Sequence, residues 1–414
     1  MPSINRWIGV AAALGIISAL VPVVQGANVA GIDLTDPLGK LEKRVRKSDQ
    51  PDLKGLDLIR LKMRPQRVTT PLSGGRLAEL TLDPELQRSA KAVMKRYRIP
   101  EAGAVLMDIK TGKLLVYASH VSGGEQIDVN VRAEAPAASV FKIITSSALV
   151  EIGGLSASTE QCYHGGRSRI GANELKDNPA RDKWCASLAM ALGRSINVVF
   201  ARLAQKNLTP EDLSMMGGAF GMGAPIPFAV KTEASKIDIP EDPLEFARTA
   251  AGFWNTSLSP LQGALIAATV ANQGVTLRPR IVEKIFKGRE EIWTTPEEPQ
   301  ILRRAIKADT AREVTKMMIQ TVASGSGFKT FHDRKRNAFL PGMQVAGKTG
   351  TLTRHKANRH YTWFVGFAPA NKPEVAVAAL VVNTPIWRIK GPTLAREVLR
   401  AYFAKQGRRG VSRP

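Results

Sequence analysis

Apolar and polar positions along this chain follow two rhythms, one of strands and one of helices, and their order suggests a fold. Leu80-Thr81-Leu82 reads as a short strand, and Asp83-Pro84 as a helix N-cap with proline at the first helical position. The pattern predicts a helix to about Tyr97, stopped by Ile99-Pro100. The apolar stretches Ala104–Met107 and Leu114–Tyr117 flank Lys110-Thr111-Gly112-Lys113, a hairpin signal. Helical patterns recur over 139–152, 185–206, 259–273 and 306–323. Val345–Thr351, Thr362–Phe367 and Val375–Val382 are three predicted strands, and Thr393–Ala404 closes the pattern as a helix. Strands at both ends with helices between them predict an α+β fold whose N- and C-terminal strands share one sheet. The compact domain is expected over 76–405, with residues 406–414 as a disordered tail. No internal repeat interrupts it.

The residues before position 76 change the picture. Arg6 precedes an uncharged apolar run, Trp7 to Val24, and Gln25–Ala30 supplies small residues after it. Residues 1–30 therefore read as an export signal or a short membrane anchor. Residues 31–75 are polar and basic, with Lys40, Lys43, Arg44, Arg46 and Lys47 crowded together and Lys54, Arg60, Lys62, Arg64 and Arg67 following. They read as a linker or small docking segment that would face anionic headgroups. The whole chain carries a net charge of +23 with 6% aromatic residues. Such a balance favours polyanions, but no nucleic-acid-binding motif accompanies it and aromatics for base stacking are few. Membrane or wall anions are the expected partners, and nucleic acid is not. The two cysteines, Cys162 and Cys185, are a candidate disulfide pair in an oxidising compartment, with two separate buried thiols as the alternative. Without a matching histidine cluster they make no zinc site, and no metal or cofactor is expected.

The chemistry rests on three short motifs in order: Ser139-Val140-Phe141-Lys142, Ser195-Ile196-Asn197 and Lys348-Thr349-Gly350-Thr351. Each has a decoy: Ser326-Gly327-Phe328-Lys329, Ser3-Ile4-Asn5 and Lys110-Thr111-Gly112. Local context separates them. An apolar, glycine-free run, Ile143–Val150, follows Lys142 and predicts a buried helix, with Ser139 and Lys142 on one face. Ser326 lies between Gly325 and Gly327 and leads into charged residues, so it is expected in a loop. Lys110-Thr111-Gly112 is turn chemistry, and Ser3 belongs to the N-terminal signal.

A serine hydroxyl needs a base to become a nucleophile, and no G-x-S-x-G elbow or ordered histidine supplies one here. A lysine buried on an apolar helix loses basicity and can take that role, which points to Lys142 for Ser139. Ser195 can relay a proton to a leaving amine, and Asn197 can fix Lys142. Lys348 adds positive potential, Gly350 permits close backbone approach, and Thr349 and Thr351 offer hydroxyls to a carboxylate. The N–H groups of Ser139 and Thr351 are the candidate oxyanion donors. Arg354, His355, Lys356, Arg359 and His360 form a basic cluster after the last motif that could attract an acidic peptide.

The triplet S-x-x-K, S-x-N and K-T-G in this order resembles the penicillin-binding proteins and serine β-lactamases. Thr81–Gln87, Met107–Gly112, Ser259–Gln262 with Ala271–Gly274, and Trp363–Pro369 are similar to further stretches of the penicillin-binding transpeptidase domain, so the resemblance spans 76–405. It implies a mixed, mainly antiparallel sheet flanked by helices beside an all-helical subdomain. It further implies D-Ala-D-Ala stem peptides of peptidoglycan as substrate, β-lactams as ligands, and a place on the periplasmic side of the cell envelope. A D,D-carboxypeptidase stays open beside the transpeptidase. A β-lactamase of the E-x-x-L-N kind does not fit, because Glu174–Asn178 has the wrong spacing, while one that uses a carboxylated lysine stays open. A penicillin-binding sensor would need a signalling domain, and the stretch ahead of residue 76 is too short for a glycosyltransferase or a large pedestal.

Overall fold

The computed structural model describes residues 51–166, 169–354 and 357–411. The apolar run at 7–24 and the basic residues before position 51 lie outside the described residues. Among the described residues no helix is long and apolar enough to cross a membrane.

Three short strands open the described chain: β1 (Lys62–Met63), β2 (Val68–Leu72) and β3 (Arg76–Leu80). Helix α1 (Pro84–Arg96) starts where expected, with the Asp83 carboxylate accepting from the Glu85 and Leu86 N–H groups. Strands β4 (Glu101–Asp108) and β5 (Leu114–Val121) form the predicted hairpin. In its turn, Asp108 accepts from Lys110 and Thr111, and Gly112 adopts φ of +74°, so this K-T-G is turn chemistry.

The middle of the chain is mostly helical. It holds α2 (Lys142–Glu151), the strand pair β6 (Glu160–Tyr163) and β7 (Trp184–Ser187), then α3 (Leu188–Arg194) and α4 (Asn197–Asn207). Helices α5 (Pro243–Ala250) and α6 (Pro260–Ala271) follow, then β8 (Val282–Lys287), β9 (Glu290–Thr294) and α7 (Ala308–Ala323). The last three strands, β10 (Ala346–Arg354), β11 (Arg359–Ala368) and β12 (Val375–Asn383), lead into α8 (Gly391–Val411).

The central sheet has the order β10-β11-β12-β4-β5 and is antiparallel throughout. The first hairpin of the domain and its last three strands thus share one sheet. One face packs on α6, an almost wholly apolar helix that is buried over nearly its whole circumference. The other face packs on α1 and α8, around Leu86, Met94, Phe364 and Leu394. Lys405 of α8 reaches back to the carboxylate that caps α1, at 2.6 Å.

Three expectations differ from the structure. Residues 62–72 are not linker: β1 and β2 join β3, β8 and β9 in a second sheet. Val68 and Leu72 are buried there, and Arg67 and Arg76 pair with Glu79 and Asp52. The basic side chains around this short strand hid its apolar positions. The helix expected over 185–206 is a strand and two helices, because Ser195 takes the left-handed conformation, φ 59°, between α3 and α4. The tail expected from 406 is helical to Val411 as the end of α8.

Cys162 on β6 lies opposite Cys185 on β7, and the two are bonded. This hairpin is anchored by Arg202, fully buried on α4. Its guanidinium donates to the Cys162, Glu174 and Lys176 carbonyls and to the Asp182 carboxylate. Those hydrogen bonds, foremost, hold the Asp182 carboxyl well below the usual carboxylate range.

Two outcomes follow for stability. A chain starting at Arg76 should melt several degrees below one starting at Pro51, since it loses Val68 and Leu72 from the core; equal melting points would return 51–75 to the status of a linker. Replacing Cys162 and Cys185 together by serine should cost about 3 kcal/mol, read as a lowered midpoint in denaturant. An unchanged midpoint would mean that the bridge constrains nothing that Arg202 does not already hold.

Candidate active site

The turn that carries Ser139 is built from two unusual backbone features. A 3-10 helix, Ala138–Phe141, runs directly into α2. Ala138 stands at φ 49°, a left-handed conformation that costs an alanine energy and that the packing around it must impose. Gly252, at φ +78°, lets the end of α5 come close: a Cβ there would meet the Ala138 carbonyl oxygen at 2.5 Å. Gly350 has a similar role on the opposite side. A Cβ on it would touch Val140 and Trp363 at 3.2 Å, so its missing side chain admits the turn of Ser139 against β10. Close approach was expected at Gly350, but towards a substrate; in the structure the neighbour is the turn of Ser139 itself.

These contacts bring the three motifs into one cluster. Lys142 is fully buried, and its Nζ donates to Ser139 Oγ at 3.1 Å, to Asn197 Oδ1 at 2.8 Å and to the Ala251 carbonyl. The Phe200 ring centroid lies 5.5 Å from the same Nζ. Lys348 is also fully buried, and its Nζ donates to Ser195 Oγ at 3.0 Å and to the Thr349 carbonyl at 2.9 Å. The left-handed turn at Ser195 aims its hydroxyl towards Lys348, which a helix continuing from α3 into α4 would not do.

Burial disfavours the charged form of both lysines. Lys142 falls well below the ordinary lysine range, chiefly by burial and then by the positive charge of Lys348. Burial alone brings Lys348 down to about 7. The cluster thus holds a serine hydroxyl beside an amine that can be neutral, and a second amine that is charged in part near neutrality.

Thr349 and Thr351 lie on β10, at the edge of the central sheet, half-buried and exposed respectively. Thr351 pairs with Thr362 on β11, and the outer side of its strand is the edge of the sheet. The basic cluster after it is partly committed elsewhere: Arg359 pairs with Glu101, and Arg354 donates to the Glu134 carbonyl. His355 and Lys356 lie outside the described residues. Among the described residues, no group of three or more His, Cys, Asp or Glu side chains is placed to hold a metal ion.

One residue of the cluster escaped the sequence reading. Ser326 is in a loop, as expected, but the loop reaches the site, and its Oγ lies 2.6 Å from Thr349 Oγ1. Flanking glycines made it read as a decoy; the same glycines allow its approach.

Comparison with known proteins agrees with this arrangement. A family model described as the penicillin binding protein transpeptidase domain matches residues 102–403. Peptidoglycan D,D-transpeptidase PbpA of Mycobacterium tuberculosis is 29% identical over 345 residues, covering 74% of this chain and 67% of that protein. Among solved structures, the D,D-transpeptidase domain of a peptidoglycan glycosyltransferase from Eggerthella lenta superposes with a TM-score of 0.66 at 24% identity, over 80% of this chain and 83% of that one. The penicillin G acyl-enzyme complex of M. tuberculosis penicillin-binding protein A gives 0.63 at 25% identity, over 79% and 80%. A buried lysine on a serine, a second lysine on an S-x-N serine, and a match over most of the folded chain lead to one conclusion: the protein belongs to the penicillin-binding protein transpeptidase family, enzymes of serine-type acyl transfer.

Proposed function

We propose that the protein is a peptidoglycan D,D-transpeptidase in which Ser139 forms the acyl-enzyme. The observation that carries this reading is Lys142 Nζ, fully buried and 3.1 Å from Ser139 Oγ. Neutral Lys142 takes the Ser139 proton as Oγ bonds to the penultimate D-Ala carbonyl of a stem peptide. Negative charge then develops on the carbonyl oxygen, between the N–H groups of Ser139 and Thr351. The C–N bond to the terminal D-Ala breaks, and its amine leaves with the proton that Lys142 took from Ser139, passed through Ser195. An amine of a neighbouring stem peptide attacks the ester and loses a proton to Lys142, which returns it to Ser139 Oγ as the C–O bond breaks and the new amide forms. Asn197 holds Lys142 in place, and Lys348 with Thr349 and Thr351 attracts the terminal carboxylate.

The same attack on a β-lactam opens the ring amide and leaves its amine tethered. The penicillin G complex of the mycobacterial relative is consistent with this. The N-terminal run Trp7–Val24 supports export to the cell envelope, where such peptides are found.

Fluorescent penicillin should label the wild type and fail to label Ser139→Ala. Lys142→Ala should slow acylation by about 10²- to 10⁴-fold, the range for loss of a general base. Labelling that survives Ser139→Ala would sink the assignment. D-Ala release that needs an acceptor amine would support transfer, and release to water alone would make the enzyme a carboxypeptidase.

The two lysines also set a pH profile. Acidification protonates Lys142 and removes the base, so acylation by benzylpenicillin should fall on the acid side. Above about 7 Lys348 loses its charge, and with it the attraction for the ligand carboxylate. The second-order acylation constant should therefore peak near neutrality, with limbs that belong to the coupled pair. A steady rise from pH 5 to pH 10 would rule this out.

A further inference from the structure

Besides Ser139, the Lys142 amine has two acceptors, and they sit on different helices. Asn197 opens α4, and the Ala251 carbonyl directly follows α5. Both helices are held by the segment between the bonded cysteines. On α4, fully buried Arg202 donates to the Cys162, Glu174 and Lys176 carbonyls. Gly166, at φ +63°, packs on the first turn of the same helix, where a Cβ would meet Val198 Cβ at 2.4 Å. On α5, Arg248 stands one turn ahead of Ala251. Its Nε and Nη2 both donate to the carbonyl of buried Ile170, at 2.8 and 2.7 Å. From the other side Thr145 Oγ1 donates to the Ala250 carbonyl at 2.8 Å, so the end of α5 hangs between α2 and this segment.

We propose that Arg248 is a positioning residue for acyl transfer: through Ile170 it ties the end of α5 to the disulfide-closed segment and so fixes the Ala251 carbonyl against Lys142. A charged donor to a carbonyl is stronger than a neutral one, and two N–H groups on one oxygen set direction as well as distance. Because Arg202 grips α4 from the same segment, both acceptors of Lys142 are referred to one unit, closed by the Cys162–Cys185 bond. Those acceptors place Nζ against Ser139 Oγ, and a shift of about 1 Å in a reacting group costs up to roughly 100-fold in rate. Glu245 pairs with the remaining nitrogen of Arg248 at 2.6 Å, but at a partly exposed position where such a pair contributes little. The inference rests on the reading of Lys142 as the base of acylation.

The test follows acylation of the whole chain by benzylpenicillin, separating the limiting rate from the half-saturating concentration, with rates taken per folded molecule. Arg248→Ala should lower the limiting rate by about 10- to 100-fold and leave the half-saturating concentration within about twofold. Arg248→Met, which keeps the stem packed and lacks the donors, should show the same fall and decides if the alanine variant does not fold. Arg248→Lys should recover part of the loss through its one charged donor, and Glu245→Gln should stay within about twofold of wild type. An unchanged limiting rate in folded Arg248→Met would overturn the proposal, as would a loss confined to the half-saturating concentration. An equal loss in Glu245→Gln would place the effect in the surface ion pair and overturn it too. Lys142→Ala acylating as fast as wild type would instead remove the base reading beneath it, whereas a slow Lys142→Ala beside an unaffected Arg248→Met sinks the positioning role alone.

Discussion

Two lysine side chains are withdrawn from water in this protein, and their hydrogen-bond acceptors in the site are carbonyls, hydroxyls and an amide. Neutral acceptors solvate an ammonium group poorly compared with water or a carboxylate, so burial weakens both bases. A carboxylate beside Lys142 would favour its charged form. The surroundings are arranged to avoid that: Phe200 and the end of α5 on one side, Asn197 on another, and the second lysine near enough to add repulsion. The helices, the central sheet and the tight glycine contacts all serve to hold two amines dry and one serine within reach.

That arrangement has a cost in backbone strain, which falls on the residues that do the aiming. Ala138 and Ser195 both adopt left-handed conformations without being glycine. One lies directly before Ser139, and the other is the serine that accepts from Lys348. Strain of this kind persists only where packing over-determines it. Here the packing is α6 beneath the sheet, Gly252 against Ala138, and Gly350 against the turn.

Much of this was readable in the sequence because it is local. The apolar run behind Lys142, the Asp83-Pro84 cap and the three C-terminal strands are patterns within a few residues, and their order was enough to choose Ser139 over Ser326 as the nucleophile candidate. What escaped is tertiary. The helix break at Ser195 carries no proline or glycine at the break itself, and the strand at 68–72 is masked by arginines and lysines. Ser326 comes to the site only because Gly193 and Gly325 touch across two helices distant in sequence. No window along the chain contains that contact.

The order of strands in the central sheet bears on how the enzyme comes into being. Val105 lies opposite Ala378, about 270 residues further along the chain. Strand β4 therefore cannot pair on its second side until nearly all of the protein is available. Lys348 belongs to the same late group of strands. A chain emerging from the ribosome or a translocation channel has Ser139 and Lys142 long before it has the second lysine or the edge strand. Contacts of such separation form slowly, since a long loop must be closed before they are rewarded. Assembly of the cluster is thus tied to completion of the chain, and a nascent or C-terminally shortened molecule holds Ser139 and Lys142 without Lys348 or the edge strand.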